Sequence, residues 1–352
     1  MKKEHNKSYH DRAAKKHHIH ELKRKDKIYN GDVFLQKHFE SVNTFNEDNK
    51  PTTKRLLTPE NFSFIYNIDE SLSFFNDFQH YSNHVDKIFI DMRGTKEMTM
   101  EVLLYLISLQ KINKNQGRFI SIHIKPPREY NLIKLMSQSG FSKYFRAKNE
   151  VPVDEENILE IQDKESNQKA GIHDEYTCKR AIDFALKYHP SYKFSNPKFR
   201  HMFEALAEMM TNTDNHAYDK EGALRNWYLF AVKLESGLAF YFFDNGKGVL
   251  ETAKKNILES TIGKVSFSLG YESLMKATLD GHYRSATGKK HRNKGLPQIN
   301  NFLTSNSVKL PIIITNKIYC IPEKDIYTKN KHNFSGTLFV WILEDEKEEK
   351  VA

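Results

Sequence analysis

Three polar side chains four residues apart, Glu208, Asn212 and His216, constrain this chain more than anything else in it. On an α-helix that spacing puts an acid, an amide and an imidazole on one stripe. Phe203, Leu206, Ala207 and Met210 form the adjoining apolar face. Asn196-Pro197 is a helix-start signal with proline near the first helical position, so the spacing predicts a helix from there to about Tyr218. Two strands are expected next, Leu224 to Leu234 and Leu238 to Phe243, joined at Glu235-Ser236-Gly237. The second strand runs into Asp244-Asn245-Gly246-Lys247-Gly248. Taken alone, that pentapeptide is a common turn sequence. Set after the polar helix it has a chemical reading. A carboxylate can orient water, an amide oxygen is a hard ligand for Mg²⁺, an aspartate can accept from an exocyclic amine, and glycines let backbone approach a ring.

A third segment carries donors and positive charge. Ser285 to Leu296 places Thr287, Lys289, Lys290, Arg292, Asn293 and Lys294 around Gly288 and Gly295. Backbone N–H groups leading into a helix at Leu296 suit a phosphate. The segment is not a Walker A loop, because it lacks G-x-x-x-x-G-K-[ST]. Further on, Gly336-Thr337-Leu338-Phe339 opens an apolar stretch to Leu343.

Taken in order, these motifs resemble the GHKL ATPases. Glu208 to Asn212 is similar to that superfamily's E-x-x-x-N box, and Asp244, Gly246 and Gly248 to its D-x-G-x-G box. The run on to His216-Ala217-Tyr218 looks most like the anti-sigma-factor serine kinases. Gly288 to Gly295-Leu296 resembles the lid box, with Asn293 and Lys294 where the family has further glycines, and Gly336-Thr337 resembles the start of the closing strand. The resemblance implies an α/β sandwich, a mixed and mostly antiparallel sheet with helices on one face, that binds ATP and Mg²⁺. It implies Glu208 as general base and Asn212 as Mg²⁺ ligand. Asp244 is then the adenine acceptor, with Gly246 and Gly248 against the ring. His216, Thr287, Gly288, Lys289, Arg292, Asn293, Lys294, Gly295, Leu296 and Thr337 complete the expected nucleotide contacts.

The first half reads as a separate α/β domain. Lys87 to Met92 is a short apolar run ending in Asp91-Met92, a buried strand. Glu101 to Ile112 reads as a helix on the face of Val102, Leu103, Leu106, Leu109 and Gln110, stopped by Gly117. Arg118 to Ile124 alternates as a strand, Pro126-Pro127 breaks it, and Asn131 to Ser139 is a second helix closed by Gly140. Strand, helix, strand, helix implies parallel neighbours with helices packed on them. Residues 60–146 resemble STAS domains, the fold of anti-anti-sigma factors, down to Ser-Gly-Phe-x-x-Tyr-Phe at 139–145. Alignment on Asp91 puts Met98-Thr99-Met100 where that family carries a phosphorylatable serine, so the resemblance implies a docking module that has lost the switch.

The domain plan is then a basic arm (1–30), a STAS-like domain (31–148), a linker (149–169), a GHKL-type domain (170–343) and an acidic tail (344–352). The net charge of +9 is uneven: residues 1–27 hold ten Lys/Arg against four Asp/Glu. That arm is either a solvated tail or a contact for nucleic acid or an acidic partner. No apolar run approaches a membrane span, and the two cysteines, Cys178 and Cys320, stand far apart, which fits a reducing cytoplasm. Three functions follow: an ATPase switch acting as a homodimer or on a protein partner, a serine/threonine kinase of the anti-sigma type, or a non-catalytic ATP-binding or nucleic-acid-associated module.

Overall fold

The computed structural model describes residues 53–145 apart from 116 and 119, then 151–152, 155–162, 172–216, 227–258 apart from 236, 270–282 and 295–344. At 115, 162, 172–174, 214–216 and 254–258 the backbone alone is described. The chain is α/β, as expected, with parallel pairing confined to its first half and antiparallel pairing to its second.

The N-terminal unit opens with β1 (Thr53–Leu57), β2 (Asn61–Phe62) and α1 (Ile68–Ser82). It continues with β3 (Lys87–Asp91), β4 (Glu97–Met98), α2 (Met100–Asn115), β5 (Ser121–Lys125) and α3 (Tyr130–Gln138). β1, β3 and β5 make a parallel sheet with β3 in the middle. Asp91 closes β3 as a structural anion. Burial opposes its charge, but Arg93 and Arg55 both reach the carboxylate and hold it down at about 2.

Helix α2 departs from the one-faced pattern expected of it: every residue from Met100 to Leu109 is buried. A helix wrapped in apolar surface all round lies inside a core. Here the second wall is the other half of the chain.

That half begins at β6 (Ile158–Gln162), inside the segment read as a linker, and α4 (Ile172–Lys187) follows. Next come α5 (Pro197–His216), β7 (Trp227–Leu234), β8 (Gly237–Asp244), α6 (Val249–Leu258), α7 (Tyr271–Leu279) and α8 (Gly295–Leu303). The long strands β9 (Val308–Ile321) and β10 (Ile326–Leu343) end it. The five strands pair antiparallel throughout, in the order β6-β7-β8-β10-β9.

Strand periodicity sorts this sheet's side chains into two apolar faces. Leu229, Phe240, Phe242, Ile313, Phe339 and Trp341 meet the helices α4, α5, α7 and α8. Phe230, Tyr241, Phe243, Ile314, Leu338 and Val340 meet the N-terminal unit. Helices of the second half therefore cover one face, and α1 and α2 cover the other. Tyr105 of α2 stacks on Phe334 at 4.5 Å, and Phe64 meets the same ring edge-on at 5.5 Å. Nearer the β6 edge, the Lys111 ammonium lies 4.3 Å from the Tyr144 ring and 4.2 Å from the Tyr228 ring. Both tyrosine hydroxyls donate to Glu160, and burial holds Lys111 down at about 8.

Phe334 is fully buried between the two units. Phe334→Ala is expected to cost about 3–5 kcal/mol. Trp227 and Trp341 both belong to the second half, so their fluorescence and far-UV circular dichroism should shift together in urea if the units unfold as one.

Candidate functional site

Helix α5 starts as its sequence demands. The Asn196 side chain accepts from the Lys198 N–H at 2.9 Å, and Pro197 takes the first helical position. Phe199, Met202, Ala205, Leu206, Met209 and Met210 go into the core, which leaves Glu204, Glu208 and Asn212 half-buried along one edge. Helix α8 packs on that edge, and Gln298 donates to Glu204 at 3.1 Å.

Gly295, the first residue of α8, sits close against the stripe, so a larger residue there would push the Glu208 and Asn212 side chains aside. A methyl group there would lie 2.6 Å from Glu208 Oε2 and 3.2 Å from Asn212 Nδ2. The structure thus brings together three residues expected at the site: Glu208, Asn212 and Gly295. Burial raises the Glu208 carboxyl above its ordinary range. Asn212 Nδ2 is buried and has no hydrogen-bond partner among the described residues. An unmet buried donor costs about 1–3 kcal/mol, so the position favours a ligand that can accept from it.

A second group forms at the end of β8. Asp244 is almost fully buried; its Oδ1 accepts from the Gly246 N–H at 2.7 Å, and the Thr337 hydroxyl donates to the same carboxylate. Burial nevertheless dominates and pushes the acid up to about 6. Thr337 is the cross-strand partner of Asp244 on β10, and Gly336 precedes it at φ +99°. A Cβ on Gly336 would lie 2.0 Å from the Asp244 carbonyl oxygen, so β10 closes on the acid only because residue 336 is glycine.

The turn after Asp244 is tied down by two residues that the sequence reading left out, Thr315 and Asn316 of β9. Thr315 Oγ1 accepts from the Val249 N–H at 2.9 Å and donates to the Gly336 carbonyl at 3.0 Å. Asn316 Oδ1 accepts from the Leu250 N–H at 3.0 Å, and its Nδ2 donates to the Lys247 carbonyl at 2.7 Å. Gly248 lies directly against both side chains. The signal for them was a polar pair ending the apolar run Ile312-Ile313-Ile314. Asn245 Oδ1, in the same turn, is buried without a partner among the described residues.

Helix α7 lies between the two groups. It packs on α6, which begins five residues after Asp244, on α8, and on the β9–β10 hairpin. Its C-terminal end abuts the start of α8, where a Cβ on Gly281 would meet Pro297 at 2.8 Å. Leu296 packs partly buried against the helix-side core. Thr287, Gly288, Lys289, Arg292, Asn293 and Lys294 lie outside the described residues, as does the side chain of His216.

The donor set suits a small, hard cation shared with phosphate. Glu208 and Asn212 offer oxygens, and Mg²⁺ takes one or two protein ligands with phosphate and water rather than a protein cage. No group of three or more His, Cys, Asp or Glu that could hold a metal ion occurs among the described residues. No protein-family model matches the chain, and no curated protein matches it. Among the described residues no helix is long and apolar enough to cross a membrane.

Two outcomes follow from Asp244. Its folded pKa is raised, so its stabilising contribution is full below the ordinary value of 3.8 and is lost as pH rises through about 6. Asp244→Asn should therefore be the more stable protein at pH 7.5, by on the order of 2–3 kcal/mol, and should lose that advantage near pH 4 in thermal melts. Gly336→Ala should cost about 1–3 kcal/mol from its backbone conformation alone, and more from the clash with the Asp244 carbonyl. Urea denaturation measures it.

Proposed function

We propose that this chain is a Mg²⁺-dependent ATP-binding protein of the GHKL type, with a STAS-like N-terminal unit, that hydrolyses ATP and serves as a nucleotide-controlled switch. The observation that carries the reading is the seating of Gly295 on Glu208 and Asn212. A glycine of the basic segment, more than eighty residues on, meets the acid and amide of the polar helix, as a phosphate-covering lid must.

In this reading Asp244 accepts from the adenine amino group, which selects adenine over guanine, and Thr337 holds the carboxylate in place. Asn212 would hold Mg²⁺ through its side-chain oxygen together with phosphate oxygens and water, and the bound ion would neutralise phosphate charge. Glu208 orients the attacking water and takes its proton. Burial raises the affinity of its carboxyl for protons, the direction that suits a base. The backbone N–H groups at the start of α8 are suited to hold phosphate oxygens.

Self-phosphorylation on Thr99 fits the geometry poorly. Its hydroxyl donates to the buried carboxylate of Glu101 and also lies in hydrogen-bond contact with Ser63 Oγ, within a network that takes in the Phe64 N–H. That engagement favours hydrolysis or transfer to another protein.

The test is calorimetric titration of ATP and GTP, with and without Mg²⁺, into wild type, Asp244→Ala and Glu208→Ala, together with phosphate release. Asp244→Ala should lose the preference for ATP. Glu208→Ala should keep binding and lose about 10²–10⁴ in turnover. Equal binding of ATP and GTP by wild type, unchanged in Asp244→Ala, overturns the reading. Transfer of labelled γ-phosphate to a protein in place of release would replace hydrolysis with kinase activity.

A further inference from the structure

The back of the Asp244 site is built by the N-terminal unit. Thr337 pairs with Asp244, and Ser335 lies two residues before it on β10, next to Gly336. Two helices from the other half of the chain hold Ser335. The Tyr105 hydroxyl of α2 donates to the Ser335 carbonyl at 3.4 Å, and Gln79 Nε2 of α1 donates to the Ser335 hydroxyl at 3.4 Å. The Tyr105 ring stacks on Phe334 and meets Phe243, the residue before Asp244, edge-on at 6.5 Å.

This stretch of β10 is also where the sheet is irregular. Its register with β9 shifts between Lys329 and Phe334 and again between Phe334 and Thr337. A bulge unpairs backbone and re-aims side chains, so its position depends on contacts from outside the ladder. Those contacts come from both sides. Thr315 takes the Gly336 carbonyl from β9, and Tyr105 and Gln79 take Ser335 from the N-terminal unit. A shift of Ser335 is passed through one glycine to the residue that orients the Asp244 carboxylate.

We propose that the N-terminal unit sets the nucleotide affinity of the Asp244 site through residues 335–337 of β10, with Tyr105 and Gln79 as the positioning residues. The proposal rests on the nucleotide reading of that site. By linkage, a nucleotide that is bound more tightly when Ser335 is held must in turn tighten α1 and α2 against the sheet by the same factor. Anything that loosens the N-terminal unit, a partner included, then releases nucleotide.

A third contact between the halves provides a control. Asp69 of α1 accepts from the Lys331 N–H at 3.0 Å, within the earlier irregular stretch of β10 between Lys329 and Phe334. It joins the same two units without touching residues 335–337.

The experiment measures ATP·Mg²⁺ binding by full-length wild type, Tyr105→Phe, Gln79→Ala, the double variant and Asp69→Ala. It also follows hydrogen exchange of the α1 and α2 amides with and without saturating ATP. The double variant should bind ATP about fivefold more weakly. ATP should slow exchange in α1 and α2 of wild type and of Asp69→Ala, and leave it unchanged in the double variant. Tyr105→Phe removes only the hydroxyl, and Gln79→Ala removes the amide and one methylene; both keep the packed rings, so melting without nucleotide separates lost folding from lost coupling. Wild-type affinity in the double variant, no effect of ATP on α1 and α2, or an equal loss in Asp69→Ala overturns the proposal. Absence of ATP binding by wild type overturns the nucleotide reading beneath it and is seen in the first titration.

Discussion

The five-stranded antiparallel sheet cannot stand with either face uncovered. All eight residues of β8 are buried, and along it Phe240 and Phe242 turn one way while Tyr241 and Phe243 turn the other. Leaving either face in water would cost about 25 cal/mol for each square ångström of apolar surface, so two covers are required. One is the layer of α4, α5, α7 and α8. The other is a structure of its own, a parallel three-stranded unit whose helix α2 is apolar on every side because it serves two cores. The polar residues around Asp244 gather at the rim where β8 ends.

Asp244 illustrates how that rim is built. Its carboxylate is taken out of water, which raises its proton affinity, and only a main-chain N–H and one hydroxyl offset the loss. The tight approach of β10 at Gly336 and the clasp of Thr315 and Asn316 hold this costly group in a single position. In the nucleotide reading proposed above, that arrangement gives up stability for a preorganised acceptor. The unmet Asn212 amide follows the same logic on helix α5.

Local pattern carried much of this fold. The helical spacing behind α2, α3 and α5, the hairpin of β7 and β8, and the Asp-x-Gly-x-Gly turn can all be read from neighbouring residues. What could not be read depends on distant pairing. β6 is five residues in polar surroundings and becomes a strand only because β7 offers it an edge. β10 starts ten residues before Gly336, through the polar stretch Tyr327 to His332, because β9 is long enough to pair with it. Thr315 and Asn316 join the Asp244 turn through a contact some seventy residues away along the chain. Glu208 and Asn212 were legible from their spacing, whereas the residue that closes on them, Gly295, was legible only as part of a motif.

The β6 strand and the N-terminal cover have a practical consequence for anyone dividing the molecule. A fragment starting at residue 170 would look like a complete nucleotide-binding module by its motifs. It would also have a bare β7 edge, with unpaired main-chain groups along it, and an oily sheet face carrying Phe230, Tyr241, Phe243 and Leu338 open to solvent. Such a fragment would associate with itself before any activity could be assayed, so failure to obtain the shortened protein in soluble form would report on its missing neighbour rather than on the motifs it retains.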